Sequence, residues 1–188
     1  MKAEKIFFAT APARDKIVRE KILSGGDILS KKLKKTNAAR ILDGLGIDYD
    51  LKTYAVDEND LSAVHVAEMS GLDIAMIFKT LVARGDKTGV IMAVIGGGDE
   101  LDLKSLAKAS GNKSVEMIAL KELLPLTGYV RGGCSPLGAK KNFPVYLDSR
   151  ALTLEKISVS AGLRGMQIVL KPQDLIRAVN ATIADLTA

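Results

Sequence analysis

Tryptophan is absent, and histidine and cysteine occur once each, as His65 and Cys134. One cysteine cannot close an internal disulfide, and one histidine beside one cysteine leaves a His/Cys zinc centre short of ligands. No apolar run approaches the roughly 18 residues that a membrane-spanning helix needs. The patch Ile6 to Ala9 is too short for a signal-peptide core and has no cleavage site, so a cytoplasmic protein without membrane attachment is expected. Nucleotide-binding punctuation is missing too. Gly96-Gly97-Gly98 lacks the Lys-Ser/Thr of a phosphate-binding loop, and no GxGxxG follows a first strand. These three glycines read as a flexible connector.

What remains is a chain built to fold. Apolar residues are 47% of the 188, and 17 glycines and 5 prolines are near ordinary usage, which fits one packed domain with an appendage. Charge locates the appendage. Residues 1–35 hold ten Lys/Arg against four acids, a net of +6, while the whole chain is +5, so the rest sums to −1. Any attraction to a polyanion inferred from composition belongs first to that segment. Pro12 to Leu23 puts Ile17, Val18, Ile22 and Leu23 on one helical side, and Asp27 to Lys35 continues as a basic helix. The spacing therefore predicts a basic, helical extension over residues 1–35 and a main domain over 36–188.

Within the main domain, Thr36 is suited to cap a helix carrying Ala38, Ile41, Leu42 and Leu45. Ile47 to Tyr54 alternates as a strand, and a helix over Leu61 to Met69 stops at Gly71. Phe78 to Arg84 and Gly89 to Ile95 are apolar runs joined by Gly85-Asp86-Lys87-Thr88, which is hairpin chemistry. Helices follow near Asp102 to Ser110 and Leu120 to Leu124. Strands are expected at Tyr129-Val130-Arg131, Phe143 to Leu147, Lys156 to Ser160 and Met166 to Leu170, and Pro172 opens a last helix through Leu186. Strands and helices alternate irregularly, so the pattern predicts an α+β fold with a mixed, barrel-like β-sheet flanked by helices.

No motif joins His65 to Cys134 as a nucleophile and its base. His65 reads as a helix-surface residue beside Val64 and Val66, and Cys134 as a small packed side chain. The segment Gly132-Gly133-Cys134-Ser135-Pro136-Leu137-Gly138 is richer. It is either an ordinary tight turn or a loop whose N–H groups face a developing oxyanion or a phosphate. Lys79 falls at a core-edge position of its strand, where it either snorkels outward or presents a fixed cation at a pocket mouth.

These stretches together carry a family resemblance. Phe78-Lys79-Thr80-Leu81-Val82, Leu101-Asp102-Leu103-Lys104, Thr127 through Gly138, Asp148, and Ser158 through Gly165 stand in the order and spacing of the YbaK family of cysteinyl-tRNA(Pro) deacylases. The similarity runs from Thr36 to the C-terminus. It implies the fold shared with the editing insertion of bacterial prolyl-tRNA synthetases, and hydrolysis of an aminoacyl-tRNA ester without cofactor or metal. It implies aminoacyl-tRNA, tRNA(Pro) in particular, as partner, with prolyl-tRNA synthetase as a second. Lys79 matches the family's essential lysine and Tyr54 a pocket tyrosine. Catalysis is then expected from Lys79 and the loop at Gly132, Gly133 and Ser135. Substrate contacts are expected from Tyr54, Thr80, Pro136, Gly138, Asp148, Ser160, Gly162 and Arg164, with Asp148 facing the substrate ammonium. An aminoacyl ester is already activated, and the family mechanism uses the substrate's own thiol as nucleophile, which suits a sequence with no visible triad. Two other readings stay open: a deacylase for alanine or another small residue that uses water, and a non-catalytic tRNA- or synthetase-binding module.

Overall fold

The computed structural model describes residues 35–187. The basic helices expected ahead of Thr36 lie outside the described residues. Thr36 is extended, and its hydroxyl accepts from Ala39 N at 3.2 Å, which starts α1 (Asn37–Gly44). Ala38, Ala39 and Leu42 turn inward. Leu45 is 47% exposed because the helix has ended and residue 45 only caps it. After β1 (Asp50–Thr53), Ser62 caps α2 (Ala63–Ser70), and Gly71 closes that helix at φ 68°.

The hairpin falls where its turn residues place it. β2 (Phe78–Gly85) and β3 (Gly89–Gly96) pair antiparallel, from Phe78 opposite Gly96 to Gly85 opposite Gly89. Asn112 clamps the turn, its Oδ1 accepting from Lys87 N at 2.9 Å and Thr88 N at 3.0 Å. β3 is apolar without alternation because both its faces are covered. Met92 and Val94 enter one core, while Ile91, Ala93 and Ile95 enter a second under α3 (Leu103–Ala109).

Several elements differ from expectation. β4 (Val115–Met117) joins the edge of β2 and is too short to show alternation. α4 (Leu120–Thr127) runs past Leu124 through Pro125 and stops at Gly128, φ 83°. After β5 (Val145–Asp148), β6 (Ile157–Ser160) and β7 (Met166–Leu170), α5 (Pro172–Val179) ends well before Leu186. Asn180 takes φ 51°, a left-handed turn that its short polar side chain tolerates, and the chain enters β8 (Thr182–Ala184). Tyr129 to Arg131 is likewise loop rather than strand.

The α+β architecture and the mixed sheet match expectation; barrel closure does not. The described strands form a three-stranded antiparallel sheet, β1-β7-β6, and a five-stranded sheet, β4-β2-β3-β5-β8, in which β3–β5 and β5–β8 are parallel. The two meet at one isolated parallel bridge, Ile77 to Ser158, so pairing does not continue around a ring. The larger core gathers Phe78, Val94, Leu147, Val159 and Ile168 with Leu42 of α1 and Leu175 of α5.

β5 ends on Asp148, the residue expected to meet the substrate ammonium; it is 1% exposed and bonded within the fold. Its carboxylate accepts from Leu186 N and Arg150 Nε at 3.0 Å, from Arg150 N at 3.1 Å and from Thr187 Oγ1 at 3.3 Å. Burial alone pushes this carboxyl up, but the bonds from Leu186 and Arg150 outweigh it and hold it below the usual carboxylate range. Asp148 fastens the C-terminal strand to β5. Asp148→Asn is expected to destabilise the protein by about 2–3 kcal/mol. A depressed folded-state pKa contributes stability that is present above the unfolded value and lost as pH falls through the folded one. The wild type should therefore lose its advantage over Asp148→Asn below about pH 4. Denaturant titrations of both proteins at neutral and acid pH check this.

Candidate active site

Lys79 is the second residue of β2, and its ammonium donates to Gly97 O at 3.0 Å. An ammonium has three donors, so two remain for a ligand. Gly97 is therefore more than the connector its sequence suggested. Its N donates to Ile77 O at 2.6 Å, and a Cβ there would stand 2.4 Å from Ala63 Cβ and 3.1 Å from Ile77 O. Only glycine allows that approach, which brings a carbonyl to Lys79. Thr80 lies on the opposite face of the strand, 9% exposed, with Oγ1 buried and without a hydrogen-bond partner.

Two residues beyond the Ile77–Ser158 bridge, on either strand, stand Lys79 and Ser160. Ser160 is opposite Gln167, and Gln167 is opposite Lys52, so the pairing lays a polar row across the sheets. Gln167, which the sequence reading missed, is 5% exposed and accepts from Ser158 Oγ at 3.1 Å. Its signal was a polar residue inside the apolar run Met166 to Leu170.

Beside Ser160, whose hydroxyl accepts from Gly162 N, the expected loops converge. Gly133 approaches the later turn so closely that a Cβ would lie 3.3 Å from Arg164 N. Gly162, at φ +92°, lies beneath the Tyr129 ring, with 3.0 Å from its Cβ position to Cε1. Arg164 Nε donates to Arg131 O at 2.9 Å, and its Nη1 to Glu58 at 3.3 Å. The segment after β1 closes the third side. Tyr54, half-buried, donates its N to Gly165 O at 2.9 Å, and Leu61 packs 3.1 Å from the Cβ position of Gly132. Leu61 and Glu58 were not anticipated, since neither belongs to a recognisable motif.

The loop's internal bonds sort its members. Gly133 N is spent on Val130 O at 3.0 Å, whereas Gly132, Cys134 and Ser135 N make no hydrogen bond among the described residues. Ser135 is fully buried, and its hydroxyl accepts from Leu137 N at 3.2 Å, so its side chain braces the loop. Pro136 is buried, and Gly138 O accepts from Asn37 Nδ2 at 3.2 Å, anchoring the loop to α1. Tyr129 donates its hydroxyl to Leu137 O across the loop, and Ser160 Oγ accepts from Gly162 N at 3.2 Å.

Cys134 offers no activated nucleophile. It packs into the larger core, and burial pushes its thiol up to about 12. Cys134→Ala should keep activity within a few-fold, and mass spectrometry should find no acyl adduct on the wild-type thiol. A trapped acyl-Cys134 would overturn this. His65 is half-buried rather than on the surface, with Nε2 buried and unpartnered. Among the described residues no group of three or more His, Cys, Asp or Glu is placed to hold a metal, and no helix is long and apolar enough to cross a membrane.

A family model described as an aminoacyl-tRNA editing domain matches residues 57–178, the span that holds Lys79 and both loops. This chain belongs to that family. Among its relatives is EbsC of Enterococcus faecalis, named as a candidate Cys-tRNA(Pro)/Cys-tRNA(Cys) deacylase. The two are 52% identical over 157 residues, 84% of this chain and 96% of EbsC. A proline–tRNA ligase of Shouchella clausii is 31% identical over 103 residues, 55% of this chain but 18% of the ligase, so the editing domain corresponds to a piece of that enzyme. A solved structure described as a candidate trans-editing enzyme for prolyl-tRNA synthetase superposes with a TM-score of 0.70. It is 25% identical and covers 79% of this chain and 93% of its own. The YbaK-type editing fold expected from the motifs is thus the fold found.

Proposed function

We propose that this protein is a trans-editing hydrolase of the cytoplasm that releases cysteine from mischarged tRNA(Pro). One observation carries the reading: Lys79 keeps two unspent donors and the glycine loop keeps unspent amides, while the lone cysteine is buried and its thiol is pushed up by that burial. Such a site can orient an ester and stabilise an oxyanion, but it brings no side-chain nucleophile of its own. A cysteinyl ester brings one. Its thiol attacks its own carbonyl carbon, forming a C–S bond in a four-membered ring as the ribose oxygen leaves with the thiol's proton. Water then opens the thioester to free cysteine.

Lys79 is placed to hold the ester carbonyl or the terminal ribose, and the N–H groups of Gly132, Cys134 and Ser135 are the oxyanion donors in place of Gly133. Tyr54, Ser160, Gly162 and Arg164 line the substrate, and Gln167 joins them, while Thr80, facing away from Lys79, supports the strand from behind. Pro136 and Gly138 shape the loop. The name and identity of the Enterococcus relative support the choice of cysteine and tRNA(Pro). The test is a time course of Cys-tRNA(Pro) with the full chain. Release of free cysteine with intact tRNA is expected. Binding without release would leave only a tRNA-binding module, with prolyl-tRNA synthetase as the partner to examine next.

A further inference from the structure

Residues 127–140 form an Ω-shaped loop. Lys140 N closes it on Thr127 O at 3.0 Å, and the Tyr129 hydroxyl crosses it to Leu137 O. Its charge is one-sided. No Asp or Glu occurs between Glu122 and Asp148, yet Arg131, Lys140 and Lys141 do, and all three are exposed on a domain whose residues 36–188 sum to −1. Lys140 is held in place: its stem lies 3.2 Å from the Cβ position of Gly128, and its Nζ reaches Leu124 O at 3.5 Å. Beside these cations the loop mouth exposes aliphatic surface, Val130 at 42% and Leu163 at 54%. Arg164, pinned to Arg131 O, joins the two parts.

We propose that this loop edge is the track for the acceptor arm of tRNA. Arg131, Lys140 and Lys141 meet backbone phosphates, and Val130 and Leu163 form the ledge on which the unpaired terminal bases rest. The inference rests on the proposed function and deepens it, giving the domain its own nucleic-acid contact apart from residues 1–35. Phosphates supply charge-driven affinity, and unpaired bases seek flat or apolar partners. Both chemistries border the loop that faces the ester, where the end of an acceptor arm must come.

The test is the full-length triple variant Arg131→Gln, Lys140→Met, Lys141→Gln, in which methionine keeps the Lys140 stem. Affinity for uncharged tRNA(Pro) is measured across salt concentrations for wild type and variant. Each lost phosphate contact should lower the slope of log affinity against log salt by about 0.7–0.9, so the triple variant should lose about 2–3 units of slope. Its kcat on saturating Cys-tRNA(Pro) should stay within a few-fold while KM rises. An unchanged salt slope overturns the track, and so does weaker binding with no change of slope. Binding is read on uncharged tRNA, so a wild type that fails to release cysteine defeats the proposed function without deciding this one.

Discussion

Lys79→Ala is expected to lower kcat/KM for Cys-tRNA(Pro) by about 10² to 10³, the loss seen when one preorganised donor to a developing oxyanion is removed. The argument is geometric. One of the three ammonium donors is fixed by Gly97 O, which locks the side chain, and the other two stay available. A cation that merely snorkelled would have no fixed backbone partner. The variant should still fold, because Lys79 is only half-buried and the neighbours that hold β2, Phe78 and Val82, are untouched. Circular dichroism and thermal melts check that point. Lys79→Arg should rescue poorly, since a planar fork cannot take the place of a compact ammonium held by one carbonyl. Near-normal turnover by a folded Lys79→Ala protein would remove Lys79 from the site. Gly97→Ala offers an independent check: its methyl would strike Ala63 and Ile77, displace the carbonyl that pins Lys79, and lower activity in the same direction.

Much of this fold is legible in the residues because local chemistry and tertiary context agree. Thr36 caps a helix where a side-chain oxygen precedes an apolar stripe, and Gly71 ends one where a left-handed turn is needed. The hairpin is readable because its turn residues and its apolar runs point to the same register. Other elements are set by contacts that no short window contains. β4 exists because the edge of β2 is there to pair with it, and α5 stops at Asn180 so that the chain can return as β8 beside β5. The site divides in the same way. Its glycine loops announce themselves because close approach requires glycine. Gln167 and Leu61 do not, since their places follow from strand register and from packing against Gly132. Asp148 shows the converse. It sits within a recognisable motif, yet its environment spends every oxygen on the fold.

The substrate's sulfur is expected to decide the rate. Serine and cysteine are close in size, so a pocket that accepts one accepts the other, and binding alone separates them poorly. Reactivity separates them well: a thiol near neutral pH is already a few per cent thiolate, while a hydroxyl is scarcely ionised. If the site only orients and stabilises, release from Cys-tRNA(Pro) should exceed release from Ser-tRNA(Pro) by on the order of 10²-fold or more, chiefly in kcat. The most direct measurement is the pair of single-turnover rates with the full chain on Cys- and Ser-tRNA(Pro), with Ala-tRNA(Pro) as the substrate whose side chain has no heteroatom to attack. The account predicts fast cysteine release, slow serine release and slower alanine release, all lost together in Lys79→Ala. Equal rates on all three would contradict it, because they would require water as the nucleophile and a base that activates it.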